Sequence, residues 1–151
     1  MYPNVPNILY HNLGGGKFED VTSTAGFTAS GKGMGISIDD FNRDGFQDVF
    51  IANDTERNFL FMNQGNGTFK EEALLVGVAY NDNGTVVSGM GSDAKDFNND
   101  GLPDIYVTGY DGNGTVRVLV DGVSGLTEGN SGYGPFGEPI RASGTAAAVC
   151  P

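Results

Sequence analysis

The chain has 151 residues, and with 25 Gly and 6 Pro, about a fifth of it, a helical bundle is excluded because these are the poorest helix formers. Eight basic residues against 19 acidic ones give a net charge of −11, so nucleic acid and anionic membrane surfaces are poor partners and cations are natural ones. The 38% of apolar residues, with 10 Phe and 6 Tyr, still suffice for a core of short strands.

Taken in order, NILYHN predicts a strand at about residues 8–12, closed by a hairpin turn at Gly14-Gly15-Gly16 before Phe18. Gly33-Met34-Gly35 opens a strand at about 34–39. An Asp-rich loop follows from Asp40, then strands at about 48–53 and 58–63. Gly65-Asn66-Gly67 turns the chain into a short strand at Phe69. Val49 to Ala52 and Phe59 to Met62 are apolar on both alternating faces, as expected of strands covered on both sides. Gly89-Met90-Gly91 and a strand at about 104–109 repeat the opening of the unit, and helix is expected to be nearly absent. Val116 to Val120 predicts one further strand. From 123 to 151 the text is rich in Gly, Ser and Ala and reads as a disordered tail, the product of a truncated or shifted reading frame.

The internal repetition organises these elements. DFNRDGFQDVFIAND, Asp40 to Asp54, returns as DFNNDGLPDIYVTGY, Asp96 to Tyr110, 56 residues on. NILYHNLGGGKFEDVT, Asn7 to Thr22, returns as NFLFMNQGNGTFKEEA, Asn58 to Ala73, 51 residues on. A five-residue insertion around Asn81-Asp82-Asn83-Gly84 accounts for the difference. Each unit of about fifty residues holds about four short antiparallel strands, and the radial stacking of such units is a β-propeller. The expected fold class is all-β: a partial propeller with a partial blade at 1–32, a complete one at 33–73 and a partial one at 74–122.

The Asp-rich loops carry the chemistry. Asp40, Asn42, Asp44 and Asp48 occupy positions 1, 3, 5 and 9 of one loop, with Gly45 at position 6. Asp96, Asn98, Asp100 and Asp104 repeat the pattern around Gly101. Hard Ca²⁺ takes six to eight oxygens, and alternate side chains of a tightly curled loop can converge on one ion. Phe46 and Leu102, at position 7, would add backbone carbonyls. Two Ca²⁺ sites are expected, with Mg²⁺ a weaker candidate because of its stricter octahedral demand. An EF-hand needs a Glu at position 12, and a dockerin loop an acid, whereas Ile51 and Val107 stand there inside strand patterns. The competing reading is that Asp, Asn and Gly simply make good turns.

The stretch GMGISIDDFNRDGFQDVFIANDTERNFLFMNQGNGTFKE resembles an FG-GAP/VCBS repeat, the blade of integrin-α-like propellers. The combination of GMG, AND-x₄-FLFxN and GNGTF is more similar still to bacterial cartilage-acidic-protein-like proteins of the ASPIC/UnbV group. The resemblance covers roughly Asn7 to Tyr110. It implies a calcium-binding interaction or adhesion scaffold of an exported, periplasmic or cell-surface protein, with a protein or glycan ligand. It also admits an alternative, the propeller portion of a secreted carbohydrate-active lyase or dehydratase. A cytosolic calcium protein is disfavoured, since such loops in extracellular modules bind at about 10⁻⁴–10⁻³ M.

Other conspicuous residues offer little chemistry. His11 is the only imidazole and reads as a surface or packing residue. Asp39 and Asp93 are candidate outer acceptors beside the loops, and Asp54 and Glu56 read as a solvated turn. The lone Cys150 can form neither an intrachain disulfide nor a thiolate metal site. No apolar stretch is long enough for a membrane span, so no direct membrane insertion is expected. MYPNVPNILY lacks the basic start and apolar core of a signal peptide, as expected of a fragment of an exported protein. Sequons at Asn53, Asn66, Asn83 and Asn113 double as turn chemistry. With neighbouring blades missing, faces bearing Phe59, Phe61, Ile105 and Val107 are expected to meet water, leaving calcium to hold the chain together.

Overall fold

A computed structural model describes residues 2–81, 84–97 and 99–110, and beyond them the strand residues 119–120, 132–133 and 139–140. β1 (Val5–Pro6) precedes the antiparallel hairpin of β2 (Tyr10–Gly14) and β3 (Lys17–Asp20), and β4 (Ser30–Gly31) returns to pair with β1. β5 (Gly33–Asp39), β6 (Asp48–Asn53), β7 (Phe59–Asn63) and β8 (Phe69–Glu71) form a four-stranded antiparallel sheet in chain order. After one turn of helix, α1 (Ala73–Val76), β9 (Ser88–Lys95) and β10 (Asp104–Tyr110) pair, and β11 (Leu119–Val120) adds to the far edge of β10. β12 (Gly132–Tyr133) pairs with β13 (Pro139–Ile140). This is an all-β partial propeller of antiparallel blades. The strand expected at 116–120 is described only at its last two residues, and most of the tail lies outside the described residues.

The central sheet exists because β6 and β7 are apolar on both faces. All six residues of β6 are buried, and the two-residue side-chain period sends them alternately to two cores. On one face Val49, Ile51, Phe59 and Phe61 pack with Phe27, and Leu9, Ala29 and Phe69 close the cluster. The Phe27 ring stacks on Phe61 with centroids 3.8 Å apart and meets Phe69 edge-on at 5.6 Å. On the other face Phe50, Ala52, Leu60 and Met62 pack with Phe41, Ala73, Val78, Ile105 and Val107. Each of these large side chains contributes about 1.5–3 kcal/mol by leaving water.

That packing corrects one expectation. Phe59, Phe61, Ile105 and Val107 are 3%, 0%, 4% and 1% exposed. The N-terminal segment covers one face of the central sheet and β9–β10 cover the other, so the missing neighbours are not missing where these residues point. Apolar residues that do meet water lie elsewhere, among them Tyr10 and Phe18 on the β2–β3 hairpin, and Met34, Ile36 and Ile38 on β5.

The repeated GMG segments meet at the β5–β9 contact. A methyl group built on Gly35 would stand 2.6 Å from the Gly91 backbone, so only glycine permits this approach. One step on, Ser37 and Ser92 share a hydrogen bond of 2.8 Å between their hydroxyls. The single helical turn was not foreseen. It closes at Gly77, whose φ of 91° is left-handed and whose amide donates to the Ala73 carbonyl at 3.0 Å.

Candidate metal centre

The two Asp-rich loops connect β5 to β6 and β9 to β10, and their backbones follow the same path. Position 4 is left-handed in both, at Arg43 (φ 57°) and Asn99 (φ 61°). Position 6 is left-handed too, at Gly45 (φ 90°) and Gly101 (φ 86°). These turns direct consecutive amides back at the loop's first acid. Asp40 Oδ1 accepts from the Asp44 amide at 3.0 Å and Oδ2 from Gly45 at 2.8 Å. Asp96 accepts from Asp100 at 3.1 Å and from Gly101 at 2.7 Å in the same manner.

Position 5 caps position 7 in both loops. Asp44 Oδ1 accepts from the Phe46 amide at 2.9 Å, and Asp100 Oδ1 from Leu102 at 2.7 Å. Asn42 accepts from the Asp44 amide at 3.0 Å and donates its own Nδ2 to Asp44 Oδ2 at 2.9 Å. Asn98 lies outside the described residues. Position 9 anchors the loop to its strands: Asp48 Oδ2 accepts from Phe41 at 3.0 Å and Asp104 Oδ2 from Phe97 at 2.8 Å. Asp48 Oδ1 also accepts from Asn63, on β7, at 2.7 Å. Both position-9 acids are fully buried.

The donor chemistry fits a hard cation. Each loop offers three carboxylates and, at position 3, an amide, and a carboxylate has about four lone-pair sites, so accepting two amides leaves capacity for an ion. In the first loop the acids also feel one another. Burial, and to a smaller extent the charges of Asp44 and Asp40, push the Asp48 carboxyl above its ordinary 3.8, against the pull of the Asn63 and Phe41 amides. A divalent cation held there would offset both the burial and the smaller mutual repulsion. Among the described residues no three acidic or imidazole groups close into a ready cage. The structure thus places Asp40, Asn42 and Asp44 in one amide-capped turn and Asp96 and Asp100 in the other, with Phe46 and Leu102 seen as amide donors and Asp48 and Asp104 bonded to Phe41 and Phe97.

A raised folded-state value gives a definite sign. Protonation of Asp48 favours the folded chain, so its contribution is full below about pH 3.8 and is lost as pH rises through the raised value. In chelator, the melting temperature of the unsubstituted chain minus that of Asp48→Asn is expected to increase as pH falls from neutrality through that window. A flat difference would show that Asp48 ionises without penalty.

The remaining candidates lie apart from this chemistry. Asp39 and Asp93 each accept from the very next amide, Asp40 at 2.8 Å and Ala94 at 2.9 Å. His11 is exposed on β2 opposite Glu19. Asn53, nominally a sequon, is fully buried and donates to the Arg57 carbonyl at 2.8 Å. Sequence reasoning missed the network beside it. Arg57 forms a 2.7 Å ion pair with Glu71 and lies 4.8 Å over the Phe59 ring, joining β7 to β8. It also missed the placement of Arg43. The only available signal was a charged residue at position 4 of one loop against a neutral one in the other.

A four-stranded antiparallel unit followed by a second of which three strands are described, each carrying an acidic nine-position loop after its first strand, defines a β-repeat protein of propeller type. The FG-GAP-like repeat model matches residues 3–51 and again 40–107, and the chain belongs to that family. Over 93 residues it is 37% identical to cartilage acidic protein 1 of Mus musculus, 34% to that of Homo sapiens and 32% to that of Xenopus tropicalis. Each match covers 62% of this chain but only 14% of the relative's length.

Proposed function

We propose that this segment is a calcium-binding scaffold in the propeller of an exported or cell-surface protein, presenting a surface to a protein or glycan ligand. The observation that carries the reading is the duplicated loop network. Two stretches 56 residues apart hold their first, fifth and ninth positions with matching amide bonds. The carboxylates that hold each turn by accepting amides keep lone pairs for an ion. Asp40, Asn42, Asp44 and Asp48, with the Phe46 carbonyl, would hold one ion. Asp96, Asn98, Asp100 and Asp104, with the Leu102 carbonyl, would hold the other.

An extracellular or periplasmic setting follows from the ion, because weak loops of this type fill only where calcium is near millimolar. The relatives are named as acidic proteins of cartilage, and the net charge of −11 here is in keeping with that name. No helix among the described residues is long and apolar enough to cross a membrane. The scaffold reading assigns the chain no catalytic residue. Calorimetry at millimolar Ca²⁺ should give two sites per chain, and Asp44→Ala should remove one and leave the other. No calcium heat, or the same heat with Mg²⁺, would overturn the proposal.

A further inference from the structure

The loops differ at positions 4, 7 and 8, and only position 4 changes the charge; there the difference reaches across. Arg43 is exposed, and its backbone is left-handed, with φ 57°. A methyl group built on Gly101 would come within 2.6 Å of Arg43 Nη2 and 3.7 Å of Cζ. Gly101 is the residue whose amide is bound to Asp96 Oδ2. A guanidinium carried by the first loop therefore stands against the backbone of the second, in room that glycine leaves open. The matching residue of the second loop, Asn99, has the same backbone conformation but no charge to send.

We infer that Arg43 is an affinity-setting residue for the second cation loop, making two sites of similar composition unequal. This rests on the calcium reading above. Without a cation, the guanidinium offsets part of the repulsion among Asp96, Asp100 and Asp104. With one, the same charge opposes a divalent ion, so the second loop binds more weakly than its donors alone would dictate. Coulomb attraction and repulsion at such range are modest near solvent and are screened by salt. The expected penalty is about two- to fivefold in affinity at low ionic strength. Lys95, beside Asp96 at the end of β9, is exposed and remains as a second, constant positive charge in every comparison.

The test uses the full chain with Arg43→Gln, which keeps length and polarity and removes the charge. Calcium titration in the Asp44→Ala background reads the second loop, and in the Asp100→Ala background the first. Arg43→Gln should tighten the second loop about two- to fivefold and the first loop less, with the difference shrinking in high salt. In chelator it should lower the melting temperature, a readout that needs no bound metal. Equal or greater tightening at the first loop, or no change at either together with an unchanged melt, would overturn the inference while leaving two calcium sites intact. Failure of the unsubstituted chain to bind calcium would instead overturn the functional reading beneath it.

Discussion

Chelation of calcium is expected to lower the melting midpoint of this chain by about 15–25 °C. A ligand that binds only the folded state adds RT ln(1 + [L]/Kd), about 2.7 kcal/mol per site at a hundredfold excess over Kd. The two proposed sites would therefore contribute about 5 kcal/mol. For domains of about 60–250 residues each kcal/mol moves the midpoint by roughly 2–8 °C, which brackets the expected shift. The two cores on the central sheet set the other side of the balance. Because Phe50, Leu60, Phe61 and Val107 are already dry, 0–1% exposed, a cooperative transition should survive in chelator at the lower temperature. An unchanged melt in both conditions would reduce the Asp-rich loops to ordinary turns.

Equivalent positions of the repeat should respond very differently to truncation. Phe61 and Tyr10 occupy the same place, 51 residues apart, one fully buried and the other 57% exposed. Phe61→Ala removes the ring stacked on Phe27 and opens a cavity between two units, which costs about 3–5 kcal/mol. That is a large share of a typical stability of about 5–15 kcal/mol. Tyr10→Ala takes away a side chain that already faces water, and a change of within about 0.5 kcal/mol is expected. Urea midpoints of the two variants decide the matter. A comparable loss for Tyr10→Ala would mean that the β2–β3 hairpin is covered in solution.

The strand pattern was legible because β6 and β7 encode both of their environments in six and five residues. A run such as Val49-Phe50-Ile51-Ala52 can only be satisfied between two layers, and the glycine turns mark where each strand ends. The duplicated loops were legible because their donors recur at fixed spacing. What the text concealed is long-range. Nothing local distinguishes Tyr10 from Phe61; whether the position is wet depends on which other strands lie beside it. Nor could spacing show that Asp48 would be tied at once to Phe41 and to Asn63, which lies 15 residues on. The turn at Ala73–Val76 was hidden by its brevity, with only Gly77 to mark its end. The direction taken by Arg43 required the neighbouring unit to be in place.

The contact between Gly35 and Gly91 has a geometric effect on any longer array of these units. At Gly35 and Gly91 two layers touch backbone to backbone, with no side chain between them. Farther out, at β6 and β7, the same two layers are held apart by Phe50, Leu60 and Met62. The space between them is therefore a wedge, thin at the glycines and thick at the aromatic and aliphatic residues. Repeated from unit to unit, a wedge curves a stack toward its thin edge and makes it bend into an arc. The taper between glycine and phenylalanine then sets how many units complete the circle, and a larger residue at either glycine would open the arc.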